Sequence, residues 1–394
     1  MELTKCKLGE LITQRREKND GSDLPICGVS KDGLIPPKQK DADTSIYNVF
    51  YRDDFIFNPA RMELNSIAIN DMYDRAICSS LYEVFYVHRT DLLLPHYLKL
   101  IIRQKWFTRY CEFLGQGSAR EYCRFGNISE IEIEFPPIKE QQKIVDYNTA
   151  IENRIALKQK INDNLANQIS AIYDDYFVQY KCSTVTSYID SPLGKIPSNY
   201  KVLTIGELGC DISDGNYSSK YPKADEFQTV GIPFIRGVDF IGTNISKRNL
   251  LYITPEKHNE LLKGHTKEND ILITTRGVGI GKIAFVPSDM IDVNINSQLI
   301  RINGGNTYPR VFLSQSLISN RGKNEIQANV TGSAQPQLPV GNFKNIKIVI
   351  PPESQILDFC RICNPLLNAQ LENYQEIDVL QKLLDVLLTK LSSR

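Results

Sequence analysis

The chain has 394 residues, of which 42% are hydrophobic and 23% charged, and its formal net charge is zero. This composition is typical of a soluble globular protein long enough for two domains. No apolar run approaches the roughly 20 residues of a membrane helix, and the N-terminus lacks the apolar core of a secretory signal. Nine cysteines without a disulfide-framework spacing indicate a reducing compartment. We therefore expect a cytoplasmic protein that has no membrane partner.

Residues 1–139 predict a domain built on short strands. The runs 54–57 and 81–87 are rich in aromatic and β-branched residues, and Gly, Pro and Asn lie around them. The last strand, 131–135, is followed by Pro136-Pro137, which cannot continue a strand ladder.

A long helix is predicted from about Glu140 to Phe177. Its seam follows alternating three- and four-residue steps, as in a heptad repeat. The seam residues are Ile144, Asn148, Ile151, Ile155, Lys158, Asn162, Leu165, Ile169, Ile172 and Tyr176. Such a helix is roughly 54 Å long at about 1.5 Å per residue. Because an apolar stripe of this length cannot stay solvated, the helix needs a partner.

Residues 184–352 repeat the layout of the first 139. Three blocks recur with one spacing of 215 residues: 117–119 at 332–334, 126–128 at 341–343, and 131–137 at 346–352. Two further blocks recur at spacings of 197 and 216: 8–11 at 205–208, and 53–57 at 269–273. Matching ends around a longer, different middle indicate one scaffold that carries two different recognition surfaces. Residues 195–352 also hold 18 basic and 13 acidic residues, a local excess that permits phosphate binding.

A second heptad seam lies within residues 353–394. Its members are Cys363, Leu367, Gln370, Tyr374, Ile377, Gln381, Leu384, Leu388 and Leu391. We expect the two helices to pair antiparallel within the chain, with polar seam residues such as Asn162 fixing the register. The expected contacts are Ile151, Ile155, Leu165, Ile169 and Ile172 on the first helix and Leu367, Tyr374, Ile377, Leu384 and Leu388 on the second. A homodimeric coiled coil is the alternative.

The predicted fold is therefore α+β: two tandem mixed α/β domains separated by two long antiparallel paired helices, with an internal pseudo-twofold repeat. The expected boundaries are 1–139 for the first domain, 140–183 for the central helix, 184–352 for the second domain and 353–394 for the distal helix.

Several motifs resemble parts of catalytic, nucleotide-binding or metal sites, but each lacks residues or a spacing that such a site requires. The Pro-Pro pairs at 36–37, 136–137 and 351–352 lack the neighbours of an adenine methyltransferase clamp. The glycine-rich stretch 276–282 is followed by Ile283, where a phosphate loop requires a hydroxyl. That stretch fits a tight turn between strands or a DNA-facing loop. The four histidines are not at metal-ligand spacing, and Cys360 and Cys363 fit buried or half-buried helix positions.

The stretch 191–200, Ser-Pro-Leu-Gly-Lys-Ile-Pro-Ser-Asn-Tyr, followed by Ile205-Gly-Glu-Leu, resembles the opening of a target-recognition domain in Type I restriction-modification specificity subunits. The family usually has Trp where Tyr200 stands. The junctions 117–144 and 332–352 are similar to the family's strand-to-helix junction. The resemblance covers the whole chain, but the first copy lacks the Gly-x-Ile-Pro opening, and Ser354-Gln355 replaces the Glu140-Gln141 of the first junction.

The resemblance implies a non-catalytic subunit that reads a bipartite site on double-stranded DNA. The paired helices would set the gap between half-sites and dock two methyltransferase subunits. A restriction-translocase subunit would join them, and S-adenosylmethionine, ATP and magnesium would belong to these partners; no cofactor or metal is expected in this chain. A stand-alone architectural or regulatory DNA-binding protein is the alternative, and an enzyme with an unrecognised site is a third.

Candidate DNA contacts are polar side chains in the repeated loops. Ser118 and Arg120 in the first copy match Ser333 and Gln335 in the second, and each pair follows a glycine. A second set follows the matching strands and comprises Asn58, Arg61, Thr275, Arg276 and Lys282. A simple turn that leads into the last strand is the alternative for the Gly-Ser loops.

Overall fold

The computed structural model describes residues 3–31, 33–37, 43–115, 122–183, 185–217, 219–277 and 279–392. The chain forms two compact units. Unit 1 consists of Met1–Ile155 with Leu380–Arg394, and unit 2 of Ala156–Val379. Among the described residues, no helix combines the length and apolarity needed to cross a membrane.

The described residues of unit 1 form ten short strands. They are β1 (Thr4–Lys7), β2 (Ile12–Arg15), β3 (Ile26–Ser30), β4 (Gly33–Ile35), β5 (Asn48–Tyr51), β6 (Phe55–Phe57), β7 (Ile67–Ile69), β8 (Arg75–Cys78), β9 (Glu83–Val87) and β10 (Glu132–Phe135). Two four-stranded sheets have the orders β2-β9-β6-β7 and β4-β3-β8-β5, and β1 pairs with β10.

Three helices pack on the first of these sheets and a fourth leaves the unit. They are α1 (Pro95–Ile102), α2 (Lys105–Gly115), α3 (Phe125–Ser129) and α4 (Ile138–Phe177). Phe55, Phe85 and Phe107 are fully buried in the shared core. The helix α4 begins directly after Pro136-Pro137, because proline ends a strand but is well accepted at a helix start.

In unit 2, the part of the chain that the structure describes forms thirteen strands. They are β11 (Tyr188–Ser191), β12 (Gly194–Pro197), β13 (Lys201–Thr204), β14 (Asp211–Asp214), β15 (Ile232–Ile235), β16 (Phe240–Ile241), β17 (Asn244–Ile245), β18 (Leu251–Ile253), β19 (Ile271–Thr274), β20 (Ile283–Phe285), β21 (Asn294–Ile295), β22 (Leu299–Asn303) and β23 (Lys347–Ile350). The main sheet has the order β14-β22-β19-β20, and a three-stranded sheet has the order β18-β15-β21.

The helices of unit 2 follow the same plan. They are α5 (Pro255–Glu260), α6 (Arg310–Ile318), α7 (Asn320–Ala328), α8 (Val340–Lys344) and α9 (Glu353–Ser392). Tyr200, where the family usually has tryptophan, is 2% exposed and packs edge-on against Tyr180 at 5.4 Å between ring centroids. An aromatic ring at this position therefore belongs to the core.

The predicted duplication is confirmed by the topology. The antiparallel sheet β2-β9-β6-β7 has the same order as β14-β22-β19-β20, and the pair β1–β10 matches β13–β23. Each unit also contains one parallel pair, β3–β8 in unit 1 and β15–β21 in unit 2. Individual hydrogen bonds recur: Leu8 N donates to Ile131 O, and Ile205 N donates to Ile346 O, both at 2.8 Å.

Both copies enter the third strand of the main sheet through the same turn. Asp53 and Asn269 have φ angles of 66° and 65°, a conformation that Asp and Asn tolerate better than most residues. The next residue is a buried aspartate in each case, Asp54 or Asp270. Burial raises the pKa of both carboxyl groups, although each accepts a hydrogen bond from a backbone N–H three residues earlier. The turn therefore explains why this block recurs.

The long helices pair antiparallel inside unit 2, as predicted. Lys158 of α4 contacts Glu376 of α9 at 2.8 Å, whereas Tyr173 and Phe177 of α4 contact Phe359, near the beginning of α9. Residue numbers that rise along α4 therefore meet numbers that fall along α9. The predicted pairing within one chain is the arrangement observed.

Candidate nucleic-acid interface

A tight hairpin loop connects β19 to β20 in unit 2. Thr274 N donates to Lys282 O at 3.0 Å, and Lys282 N donates to Thr274 Oγ1 at the same distance. The loop reverses through Gly277 and Gly281, whose φ angles are 78° and 82°; L-residues other than glycine rarely adopt such angles. This arrangement leaves Lys282 exposed and Arg276 half-buried at the end of the sheet.

A second loop, 331–337, lies directly beside this hairpin. Thr331 and Gln337 exchange backbone hydrogen bonds at 2.9 Å, and this closes a turn that carries the exposed Ser333 and Gln335. Leu338 N donates to Thr275 O at 2.9 Å, and Arg276 pairs with Gln337 in an isolated bridge. The structure thus brings together candidates that are about sixty residues apart in the sequence.

Two further polar residues lie at the same end of the sheet. The Arg276 guanidinium is 5.6 Å from the ring centroid of Tyr217, which follows β14 and is 55% exposed. Thr275 N donates to the carbonyl of Gln298, whose side chain is exposed just before β22. We call Tyr217, Arg276, Lys282, Gln298, Ser333 and Gln335 the loop cluster.

Strand direction explains why these loops converge. Both β14 and β19 are antiparallel to the strand between them, β22. The ends of β14 and β19 and the start of β22 therefore share one sheet edge. Sequence reasoning missed Tyr217 and Gln298, since nothing in their local sequence shows that they border this edge.

The loop cluster contains chemistry that suits DNA. Arginine and lysine contact phosphate, glutamine can bond base edges, and an exposed tyrosine ring offers a stacking surface. Thr275 differs from its neighbours because it is only 4% exposed and its backbone N–H and C=O bind Gln298 and Leu338. Its position suits holding the two loops together.

Unit 1 has a different surface at the equivalent place. Asn58 caps a short 3-10 helix, Pro59–Leu64, and its Oδ1 accepts from Ala60 N at 3.1 Å. Arg61 is exposed within that helix. Cys123 N donates to Pro59 O at 3.0 Å, the counterpart of the bond between Leu338 and Thr275. Ser118 and Arg120 lie outside the described residues.

The predicted helix-pairing residues are covered to different degrees. Ile155, Ile169, Leu367 and Ile377 are buried. Half-buried positions are occupied by Ile151, Leu165, Ile172, Tyr374, Leu384 and Leu388. Within unit 2, Ile169 and Leu367 share one core, and Ile172 packs against it. The Tyr374 hydroxyl instead lies against Gly242, in the turn between β16 and β17.

Polar seam residues form a buried amide cluster between α4 and α9. Asn162 Nδ2 donates to Gln370 O at 3.2 Å, and Gln370 Nε2 donates back to Asn162 O at 3.1 Å. Asn373 Nδ2 donates to Asn162 Oδ1 at 2.9 Å, and Lys158 Nζ donates to Asn373 Oδ1 at 2.8 Å. Sliding either helix would break these reciprocal bonds, so the cluster is suited to fixing the register.

Of the predictions for the cysteines and the histidines, the structure confirms the first and contradicts the second. Cys360 and Cys363 are buried helix residues in the core of unit 2, as predicted. The expectation that the histidines are unclustered is wrong for His258 and His265, whose ring centroids are 4.4 Å apart. They are seven positions apart in sequence, and the chain reverses beyond α5 to bring them together.

Comparison with known proteins identifies the family to which this architecture belongs. The family model of the Type I restriction modification DNA specificity domain matches residues 6–167 and 197–381. The specificity subunit of the Type I restriction enzyme MjaIX from Methanocaldococcus jannaschii is 25% identical over 312 residues, covering 76% of this chain and 69% of that protein. The HindI specificity subunit of Haemophilus influenzae is 25% identical over 92 residues, 23% of this chain and 20% of that one.

A solved structure supports the fold. The Type I restriction-modification S subunit from M. genitalium aligns with a TM-score of 0.55 at 16% identity, covering 99% of this chain and 96% of that one. The duplicated fold and the family match together define a DNA-recognition protein. The chain belongs to the Type I restriction-modification DNA specificity family and carries two copies of its domain.

Proposed function

We propose that the chain reads a bipartite double-stranded DNA site, with each domain contacting one half-site through the loops at the equivalent sheet edge. The observation that carries this proposal is the repeated strand order with different chemistry at equivalent loops. Arg276 follows β19 in unit 2, whereas the Asn58-capped helix follows β6 in unit 1. Two surfaces that differ in shape and donors would select two different half-sites.

The long helices would act as the spacer and the docking platform. Exposed apolar side chains recur along α9 at i, i+4 and i+7: Val379, Leu383 and Val386 are 64%, 44% and 50% exposed. Leu157 and Ile161 form a similar pair on α4. Apolar rows on helix surfaces mark sites where a protein partner binds. We assign these rows to two methyltransferase subunits, which a restriction-translocase subunit would join.

In this proposal the chain performs recognition and the partners perform the chemistry. S-adenosylmethionine would bind the methyltransferase subunits, and ATP and magnesium the restriction subunit. The protein would act in the cytoplasm, where genomic DNA and these partners meet.

Co-expression with a cognate methyltransferase subunit tests the proposal. We expect a complex that methylates adenines on both strands of a split motif, detectable by single-molecule sequencing of host DNA. A methylated motif that is contiguous would contradict the bipartite assignment. Salt-sensitive DNA binding without any methylation would favour the stand-alone architectural protein instead. Methyltransferase or nuclease activity of the purified chain alone would show an enzyme.

Paired insertions test the spacer. Four residues inserted before Lys158 lengthen α4 by about 6 Å, roughly two base-pair steps. They also put the two sides of the insertion out of phase, so that only one side can keep its register with α9. We expect this variant to lose assembly or to read a longer gap. Seven residues inserted both before Lys158 and after Glu376 preserve the heptad phase and the amide cluster. This matched variant should assemble and read a longer gap; an unchanged gap would show that the helices do not measure distance.

A further inference from the structure

Two histidines and an aspartate, none of them a member of the loop cluster, converge in unit 2. His258 lies near the end of α5, His265 follows it, and Asp292 precedes β21. The three side chains each offer a ligand atom, and these atoms all lie within 4.8 Å of one another. His265 Nδ1 is 2.8 Å from Asp292 Oδ1, and His258 Nε2 is 3.8 Å from Asp292 Oδ2.

The outer nitrogen of each imidazole is already committed as a donor. His258 Nδ1 contacts Asn294 Oδ1 at 2.6 Å, and Asn294 Nδ2 donates to Leu261 O, which identifies Oδ1 as the acceptor. His265 Nε2 bonds the same Leu261 carbonyl, which can only accept. Each neutral ring therefore directs its remaining lone pair towards Asp292. Metal-ligating histidines have this arrangement, with the second ring N–H held by a carbonyl acceptor.

The contact between His265 and Asp292 requires a positive charge. With Nε2 carrying the proton, a neutral His265 would point the Nδ1 lone pair at a carboxylate oxygen 2.8 Å away. Two acceptors at that distance repel each other unless a cation lies between or beside them. That cation is either an additional proton on His265 or a metal ion bound by all three side chains.

The backbone around the cluster is held in place. Asp292 has a φ angle of 56°, and its N–H donates to Thr266 O at 2.8 Å. The Thr266 side chain is 1% exposed and bonds Met290 O at 2.7 Å. These bonds connect the residue after His265 to the residues around Asp292. The ligand positions are thus fixed by buried contacts, while the Asp292 carboxylate, whose side chain is 71% exposed, can adjust.

We propose that His258, His265 and Asp292 bind one divalent transition-metal ion of the zinc type, with the fourth position open to water. Two imidazoles and a carboxylate form a ligand set that zinc accepts at about 2.0–2.2 Å in tetrahedral geometry. Such a site would crosslink the end of α5 to β21 and so stabilise the part of unit 2 that is longer than its counterpart in unit 1. This role is structural and independent of the DNA-reading proposal.

Metal titration of the full-length chain tests this site. After chelator treatment, we expect one equivalent of Zn²⁺ to bind in calorimetry, and Co²⁺ to give visible d–d absorption without a thiolate charge-transfer band. Asp292→Asn keeps a residue that tolerates the positive φ angle but removes the charge, and His265→Gln removes one nitrogen ligand. Each should weaken zinc binding by at least about 100-fold, because even changes to supporting residues cost 10–100-fold.

The matched control is His96→Gln, since His96 also pairs with an aspartate, Asp53 at 3.3 Å. It should bind zinc like the unmodified chain. Circular dichroism of each variant checks the fold. No zinc binding at micromolar concentration would leave the protonated His265–Asp292 pair as the explanation and overturn the proposal. Zinc affinity in Asp292→Asn and His265→Gln equal to that of the unmodified chain would also overturn it, and so would a cobalt spectrum dominated by thiolate, which would assign the metal to cysteines.

Discussion

Replacing Asn162 with alanine should destabilise unit 2, because it removes both polar atoms of a side chain that is 1% exposed. The substitution removes the bond from Nδ2 to Gln370 O and leaves the Asn373 amide without its acceptor. The Gln370 carbonyl lies inside a helix and keeps its helical partner. The main cost is therefore one buried N–H donor, on the Asn373 amide, that has no acceptor.

The size of the expected loss in stability follows from this single unpaired donor. A buried donor without a partner costs about 1–3 kcal/mol, so Asn162→Ala should lower the free energy of unfolding by about that amount. Asn373→Ala should cost a similar amount, although Lys158 keeps its 2.8 Å contact with Glu376. The double variant lacks both side-chain amides, so neither is left buried without a partner. Its loss should fall short of the sum of the single losses by about 1–2 kcal/mol.

The measurement is urea unfolding of the full chain followed by far-ultraviolet circular dichroism, fitted with two transitions because there are two units. The only tryptophan, Trp106, belongs to unit 1, so its fluorescence reports on that unit separately. We expect the fluorescence transition to shift much less than the other. Single-variant losses that add within about 0.5 kcal/mol would refute the reasoning, because independent residues behave in that way.

Three further predictions concern DNA, pH and assembly. Arg276→Ala should weaken DNA binding about 10-fold and reduce the salt slope by about 1, whereas Lys347→Ala, an equal charge loss on an exposed strand position, should leave both nearly unchanged in salt-dependent binding assays. Burial raises the pKa of Tyr173 to about 12, so the folded chain keeps a proton that the unfolded chain releases above about pH 10, and stability must fall between pH 10 and 12. In denaturation experiments across this pH range, Tyr173→Phe should lose about 2–3 kcal/mol less stability than the unmodified chain. The same pH dependence in both proteins would contradict the prediction. Leu383→Asp should abolish co-purification with the methyltransferase subunit, and Leu81→Asp, at a 78% exposed position, should not.

Repetition and helical period were readable from the sequence because both are local patterns. The Gly-Asn and Pro-Pro blocks of both copies mark short helices and strand ends, and the Gly-Ser block of the second copy marks a turn; all of these depend on neighbouring residues. The duplicated domain layout followed from these blocks, and the two long helices followed from the heptad spacing. The seam residues Ile155, Ile169, Leu367 and Ile377 are indeed buried, since a heptad pattern specifies which face is covered.

The identity of the contacts could not be read in the same way. Nothing near Tyr217 or Gln298 indicates that they border Arg276, because the shared sheet edge exists only after strands far apart in the sequence have paired. Tyr374 follows the seam spacing, yet its hydroxyl lies against Gly242. The seam pattern identifies the covered face of a helix but does not state what covers it.

The sequence by itself determined that two similar domains alternate with two long helices, because turn residues and apolar spacing act over short distances. The tertiary structure alone decided that Asn162 meets Gln370 and Asn373, that the loop cluster surrounds Arg276, and that His258, His265 and Asp292 converge. Each of these depends on chain reversals and strand pairing, which bring polar atoms within bonding distance without leaving a spacing rule in the sequence.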